Sequence, residues 1–259
     1  MFKTFSIYIL LFFALYIFLI EPNLILVKKI NVESDKIKNV RVVFLSDFHF
    51  SKFAFLRIKR IINKVNNQNP DIVLLGGDYA VLHNIKVSMD MNKIADNFSL
   101  IKSKFGVYSV LGNHDYNRES DFIKNKLKEK GIKILENSSY DLDIAGQKIS
   151  IAGVSDMQTT YYDASKALNN AKYPVLFVSH SPDIMPEVKD KVEFIFSGHT
   201  HGGQFRIPFF GALIVPSKYG KKYESGLIEN KMYVTKGLGT SIFHLRFNCA
   251  PEIVVVDFI

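Results

Sequence analysis

The sequence has no tryptophan and a single cysteine, Cys249, among 259 residues. One cysteine excludes an intramolecular disulfide framework and a cysteine-rich zinc site, and it leaves the redox compartment open. Glycine (15) and proline (8) stand at ordinary levels, with no low-complexity stretch and no internal repeat, so the chain is neither collagen-like nor a repeat array. No dense Lys/Arg run occurs, and nucleic acid is not expected as a partner. Charged residues are 22% and apolar residues 47%, with 22 Phe and 12 Tyr, which excludes a disordered chain. The length suits one large domain or two small ones.

Long apolar runs are also scarce, apart from one. Residues 5–20, FSIYILLFFALYIFLI, hold sixteen positions without a charge. As a helix they span roughly 24 Å against a hydrocarbon core of about 30 Å, and Leu24 to Val27 extend the stretch. No A-x-A-like cleavage site follows and no twin-arginine pair precedes. A buried core helix is the alternative, but polarity in the run is confined to Ser6, Tyr8 and Tyr16. The run predicts a single-pass membrane anchor over residues 1–27, a linker over 28–39 and a folded body over 40–259. Lys28, Lys29, Lys36 and Lys38 outnumber Lys3 and the α-amino group, which predicts a body on the cytoplasmic side of the membrane. The net charge is +8, and without residues 1–30 the body keeps about +6, which suits an anionic membrane surface or an anionic substrate.

Through the first half of the body, apolar runs alternate with amphipathic ones at βαβ spacing. VRVVFLS (40–46), DIVLLGGD (71–78) and GVYSVL (106–111) read as strands. Residues 52–66 read as a helix burying Phe55, Ile58, Ile62 and Val65, and 86–104 as one burying Met89, Ile94, Phe98 and Ile101. The second half is richer in strand: a meander over 133–154, buried strands over 174–180 and 193–201, and short strands in GALIVP, MYVTKG and EIVVVDFI, with a helix over 163–172. One α/β domain with mixed strand pairing follows.

Candidate metal-ligating residues collect at the ends of these strands: Asp47 and His49, Asp78, Asn113, His180, His199 and His201, with His114 next to Asn113. Strand carboxyl ends of an α/β sheet converge on one crevice, so these side chains are expected together. Imidazole, carboxylate and amide oxygen suit Mn, Fe, Zn or Mg. Seven ligand candidates are too many for one zinc ion and apt for two ions about 3.5–4 Å apart. A lone D-x-H or H-x-H is common at turns, and Gly76-Gly77 and Gly202-Gly203 read equally as turn glycines. The joint order of all five blocks is what chance does not supply. His83 and His244 fit no pattern and read as ordinary histidines.

LSDFH, GGDY, GNHDY, VSHSPD and SGHTHGGQ resemble, in order, the five blocks of the calcineurin-like metallophosphoesterases, across about residues 40–259. The likeness is to a small bacterial membrane-anchored branch, carried by Gly237–Ser241 and by Arg246-Phe247-Asn248-Cys249-Ala250-Pro251-Glu252, with Ala250 where that branch often has proline. The resemblance implies a four-layer α/β/β/α sandwich and two divalent ions. It implies that Asp47, His49 and His201 hold one ion, Asn113, His180 and His199 the other, and that Asp78 bridges. It makes His114 the catalytic histidine, which stabilises or protonates the leaving group while a bridging hydroxide attacks phosphorus.

Protein Ser/Thr phosphatases of this superfamily similarly carry G-D-x-V-D-R-G, whereas here Asp78 is followed by Tyr79, Ala80, Val81 and Leu82, with no arginine. A membrane-linked phosphodiester or pyrophosphate fits better, and the branch resembles enzymes that cleave UDP-2,3-diacylglucosamine in lipid A synthesis. Phe205–Phe210, including Arg206 as a substrate-binding candidate, together with Lys218, Lys221, Lys222, Phe53, Phe55 and Leu56, would surround the metal mouth and suit a lipid with an anionic head group. The competing reading is that these aromatics fill the core between the sheets. A non-catalytic metal-binding or assembly protein, or a nucleotide or nucleic-acid phosphodiesterase, are the other functional readings.

Overall fold

Val42 and Phe44 of one strand face one way, Val43 and Leu45 the other, and all four are fully buried. This period-two alternation, apolar on both faces, is what a strand between two packed layers requires. A computed structural model of the protein describes residues 2–79, 88–169, 171–172, 174–241 and 243–259. His83 and residues 80–82 and 86–87 of the sequence reading lie outside the described residues.

The strands are β1 Leu26–Val32, β2 Val40–Leu45, β3 Ile72–Leu75, β4 Val107–Ser109, β5 Lys133–Ile134, β6 Ser138–Ile144, β7 Gln147–Gly153, β8 Val175–Ser179, β9 Phe194–Ser197, β10 Arg206–Ile207, β11 Gly211–Ala212, β12 Gly226–Ile228, β13 Met232–Val234 and β14 Glu252–Phe258. The helices are α1 Phe2–Leu15, α2 Phe55–Asn66, α3 Met91–Phe98, α4 Asn113–Tyr116, α5 Ser120–Glu129, α6 Ala164–Leu168 and α7 Met185–Val188. One six-stranded sheet has the order β1-β14-β2-β3-β4-β5, a second the order β12-β13-β9-β8-β7-β6, and β10-β11 form a small hairpin.

Three buried apolar clusters separate four layers, as the resemblance implies. Val42, Phe44, Leu74 and Val110 meet Ile151, Val178 and Phe196 between the sheets. The outer face of the first sheet packs on α2, α3 and α5 through Ile58, Ile62, Phe98 and Leu127. The outer face of the second sheet packs on α6 and α7 through Ala164, Ala167, Met185 and Val188.

Residues 28–32 of the expected linker belong to an edge strand. Leu26–Val32 pairs in parallel with β14, in register from Leu26 opposite Glu252 to Val32 opposite Phe258. An edge strand needs apolar cover on one side only, and Lys28 and Lys29 erase the alternation that marks a strand in sequence. The helix expected over 86–104 is shorter: Asp90 accepts from Asn92 N–H and caps α3 at Met91. In GALIVP only Gly211–Ala212 pairs, and Leu213 and Ile214 are exposed.

Phe5–Asn23, 19 residues of mean hydropathy 2.1, is long and apolar enough by length and composition to cross a membrane. After Leu15 the helix widens into a π turn, Tyr16–Ile20, then tightens into a 3₁₀ turn, Glu21–Asn23. Glu21 N–H reaches back to Tyr16 O and Pro22 has no N–H, so Ile17 O is left to accept from Arg246 N–H at 2.9 Å.

Candidate metal centre

Five of the seven ligand candidates have left-handed backbone: Asp47, His49, Asp78, His199 and His201, with φ between 41° and 70°. Such φ values are costly for residues with a Cβ and persist only where surrounding structure enforces them. Hydrogen bonds supply the enforcement. Asp47 N–H donates to Gly77 O, and Phe48 and His49 N–H both donate to Asp78 O, so the loop after β2 is tied to the loop after β3. Gly112 lies so close to Asp78 and His180 that a Cβ there would collide with both side chains.

The side chains converge. His49 Nε2 and His201 Nε2 are 3.2 Å apart. Asp47 Oδ1 is 3.5 Å from His201 Nε2, and Asp78 Oδ2 is 3.5 Å from His49 Nε2 and 3.3 Å from His180 Nε2. Asn113 Oδ1 lies 3.1 Å from both His180 Nε2 and His199 Nδ1. His114 Nε2 stands 4.0 Å from Asp78 Oδ2, while its N–H donates to Asp78 Oδ1 at 3.0 Å. His199 N–H donates to both Asp47 oxygens, and His180 Nδ1 engages Gly76 O, which aims Nε2 into the cluster.

The electrostatics favour cations. Burial pushes His49 and His199 down to about 4 and His201 well below its ordinary value, so all three are neutral, lone-pair donors at pH 7. Burial opposes the charge of Asp78, yet the imidazoles of His180 and His49 outweigh it and hold Asp78 well below the usual carboxylate range. Burial raises Asp47 to about 6 against the pull of His180.

The residues fit divalent ions. Asp47, His49 and His201 present donor atoms within 4.8 Å of one another, as do His49, Asp78 and His114, and Asp47, Asp78 and His180. Buried neutral imidazoles beside buried carboxylates are a donor set that such ions take.

Residues beyond the sequence reading support the ligands. The Asp115 carboxylate accepts from the N–H groups of Asp78 (2.7 Å), Tyr79 (3.0 Å) and Gly112 (3.0 Å), and burial followed by the Asp78 charge raises it to about 7. Its place directly after His114 was the only sequence signal. The Gln158 amide lies 2.8 Å from His199 Nε2, with no sequence signal at all. Arg246 is fully buried and donates to the carbonyls of Lys236, Gly237, Gly239 and Cys249. It thereby holds the loop whose Gly239 N–H donates to Asp47 O.

Arg206 is not brought to the cluster: its guanidinium donates to Glu224 Oε1 at 2.7 Å and to Gly202 O. The aromatics do not fill the core. Phe53 is 81% exposed and Phe209 fully so, and Leu56 and Phe210 are exposed as well. A cavity of about 470 Å³ opens from Asp78, His114, His199 and His201 and is walled by Phe205, Leu213, Ile214 and Phe243. A second, of about 530 Å³, runs from His49 to Pro22 and Asn23 at the end of the first helix, past Arg57, Arg60 and His244.

The calcineurin-like phosphoesterase family pattern matches residues 40–203. The chain is 30% identical over 227 residues to the phosphodiesterase YaeI of Escherichia coli K12, covering 85% of this chain and 82% of that one. It is 30% identical over 250 residues to the uncharacterized metallophosphoesterase YkuE of Bacillus subtilis 168, covering 91% and 86%. Among solved structures, the calcineurin-like phosphoesterase YfkN of Bacillus subtilis aligns with a TM-score of 0.47 at 14% identity, over 78% of this chain and 82% of that one.

Proposed function

Since this chain belongs to the calcineurin-like phosphoesterase family, we propose that it hydrolyses a phosphodiester or pyrophosphate bond in a membrane-associated substrate, with its first helix as the anchor. The protein is a metal-dependent hydrolase of phosphoester bonds that uses two divalent ions. We assign Asp47, His49 and His201 to one ion, Asn113, His180 and His199 to the other, and Asp78 to both. The convergence of the His49, His201, Asp47 and Asp78 donor atoms carries this assignment.

When bound, the ions supply Lewis acidity, which lowers the pKa of water and offsets phosphoryl charge. The chain does the rest. Asp78 stays ionised at any physiological pH and keeps a negative charge between the two ligand groups. The Gln158 amide and the Gly76 carbonyl fix the rings of His199 and His180. His114 lines the cavity mouth beside Asp78, where its ring can donate a hydrogen bond or proton to a leaving oxygen.

Two observations support a lipid-linked substrate such as UDP-2,3-diacylglucosamine. The cavity leading from the ligands is walled by apolar side chains, and Phe53, on the wall of the second cavity, and Phe209 stand in solvent rather than in the core. Burial of Ile17 and Glu21 within the body supports a retained anchor over a cleaved signal sequence. The lysines that follow the helix support a cytoplasmic body.

The test is turnover by the full chain in detergent, with Mn and with EDTA, of a soluble diester, a soluble monoester and UDP-2,3-diacylglucosamine. Preference for the lipid-linked substrate supports the reading. Turnover of the soluble diester alone would contradict the lipid-linked part.

A further inference from the structure

The direction of β1 decides which end of the body meets the first helix. β1 is parallel to β14, and β14 is antiparallel to β2, so β1 begins at the end of the sheet where β2 delivers Asp47. The helix therefore joins the body on its metal-binding end.

The C-terminal half of the helix is also packed against that end. Phe13 meets Phe247 edge-on at 5.2 Å between ring centroids, and Phe247 meets Phe205 at 5.1 Å. Arg246 N–H donates to Ile17 O. Glu21, 1% exposed, accepts from the N–H groups of Asn248 and Cys249. Arg57 donates to Pro22 O at 2.6 Å and to Asn23 Oδ1. These contacts leave no flexible tether. They also take the one acidic group of the apolar stretch out of the lipid environment and into hydrogen bonds with protein.

Length then becomes decisive. The 19 residues Phe5–Asn23 make a helix of about 28 Å, no longer than a hydrocarbon core of about 30 Å. No turn is spare to hold the body clear of the bilayer. Ile17 lies about 9 Å and Phe13 about 15 Å along the helix from Asn23, so their partners Arg246 and Phe247 reach that far into the leaflet.

The surface beside those partners is built for such immersion. The β10–β11 hairpin leaves directly from Phe205 and carries Phe209 at its tip, fully exposed and held at φ 70°. Leu213, Ile214, Phe243 and Leu56 are exposed and line the two cavities, and Phe210 is exposed next to Phe209. Lys52 and Lys59 lie over the exposed rings of Phe53 and Phe55, basic groups at the edge of an apolar patch as an anionic leaflet favours.

We propose that the rim of the metal cavity is immersed in the lipid leaflet that the first helix enters, so that a lipid substrate passes sideways from the bilayer into the apolar cavity without crossing water. This rests on the anchor reading above and identifies the substrate class as a leaflet-resident phospholipid-like ester.

The absence of tryptophan makes the test direct. The full chain would be reconstituted in phosphatidylcholine/phosphatidylglycerol vesicles with or without mid-chain brominated lipid, as single variants Phe12→Trp, Phe209→Trp, Phe243→Trp and Leu100→Trp. Leu100 is exposed and precedes β4, at the opposite end of the sheet from the ligands. Brominated lipid is expected to quench the tryptophan about two-fold or more at positions 12, 209 and 243 and to leave position 100 unchanged. Quenching at 12 with none at 209 and 243 overturns the immersed rim while leaving the anchor standing. No quenching at 12 removes the anchor, and the inference with it.

Discussion

The carboxylate of Glu21, at the end of the first helix, is bonded to the backbone N–H of Cys249, whose thiol in turn donates to His201 O at 3.3 Å. The helix end and a metal-ligand loop are thus two bonds apart. Glu21→Ala leaves the buried N–H of Cys249 and the part-buried N–H of Asn248 without their acceptor, and a loss of about 1–3 kcal/mol is expected. Glu21→Gln keeps one acceptor and should lose less. Denaturant unfolding of the two variants in detergent checks the order.

Arg246 has a larger expected effect. Its buried guanidinium serves four backbone carbonyls at once, and Arg246→Met takes the donor from all four, of which Gly237 O alone keeps a second one, Glu252 N–H. About 3 kcal/mol or more of stability should be lost, with metal content falling because the loop behind Asp47 loosens. Arg246→Lys should not rescue, since one ammonium cannot span the four acceptors. Thermal unfolding and metal analysis of both variants measure this.

How much of this was legible in sequence differs from residue to residue. Asp47, His49, Asp78, Asn113, His180, His199 and His201 were legible because each is a polar residue stranded at the end of an apolar strand, and strand ends of one sheet meet. The four layers were legible because apolar faces on both sides of β2, β3, β8 and β9 demand cover twice. β1 was not, because backbone pairing at an edge asks little of side chains and two lysines hid the alternation. Arg206 was misread because its partner Glu224 lies in a separate loop, and only the tertiary fold shows that the charge is already matched. Gln158 and Glu21 act through contacts 41 and 228 residues away in sequence, which no local pattern encodes.

His114→Ala should lower turnover by about 10²-fold while leaving both metals bound, because His114 lines the cavity and is not one of the seven side chains assigned to the ions. Metal analysis alongside steady-state kinetics distinguishes this from ligand loss. Equal turnover with both metals present contradicts a catalytic role.

Metal affinity should rise with pH through neutrality. Burial alone would lower His180, but Asp78 at 3.3 Å overrides it and holds His180 well above its ordinary value, so in the metal-free chain this imidazole carries a proton. A cation must displace that proton, and displacement becomes easier as pH rises. His49, His199 and His201 are neutral already and add nothing near pH 7. Calorimetric titration with Mn in buffers of different ionisation enthalpy should register proton release, and more of it at pH 6.5 than at pH 9.

The central claim is that two ions held by these seven side chains make the chain a phosphoester hydrolase. Its most direct test is to strip the full chain with EDTA, add Mn in measured equivalents, and follow hydrolysis of bis-(p-nitrophenyl) phosphate. Turnover should be absent in the stripped chain and should appear as about two equivalents bind. Turnover that persists after stripping, or two bound equivalents without turnover, would contradict it.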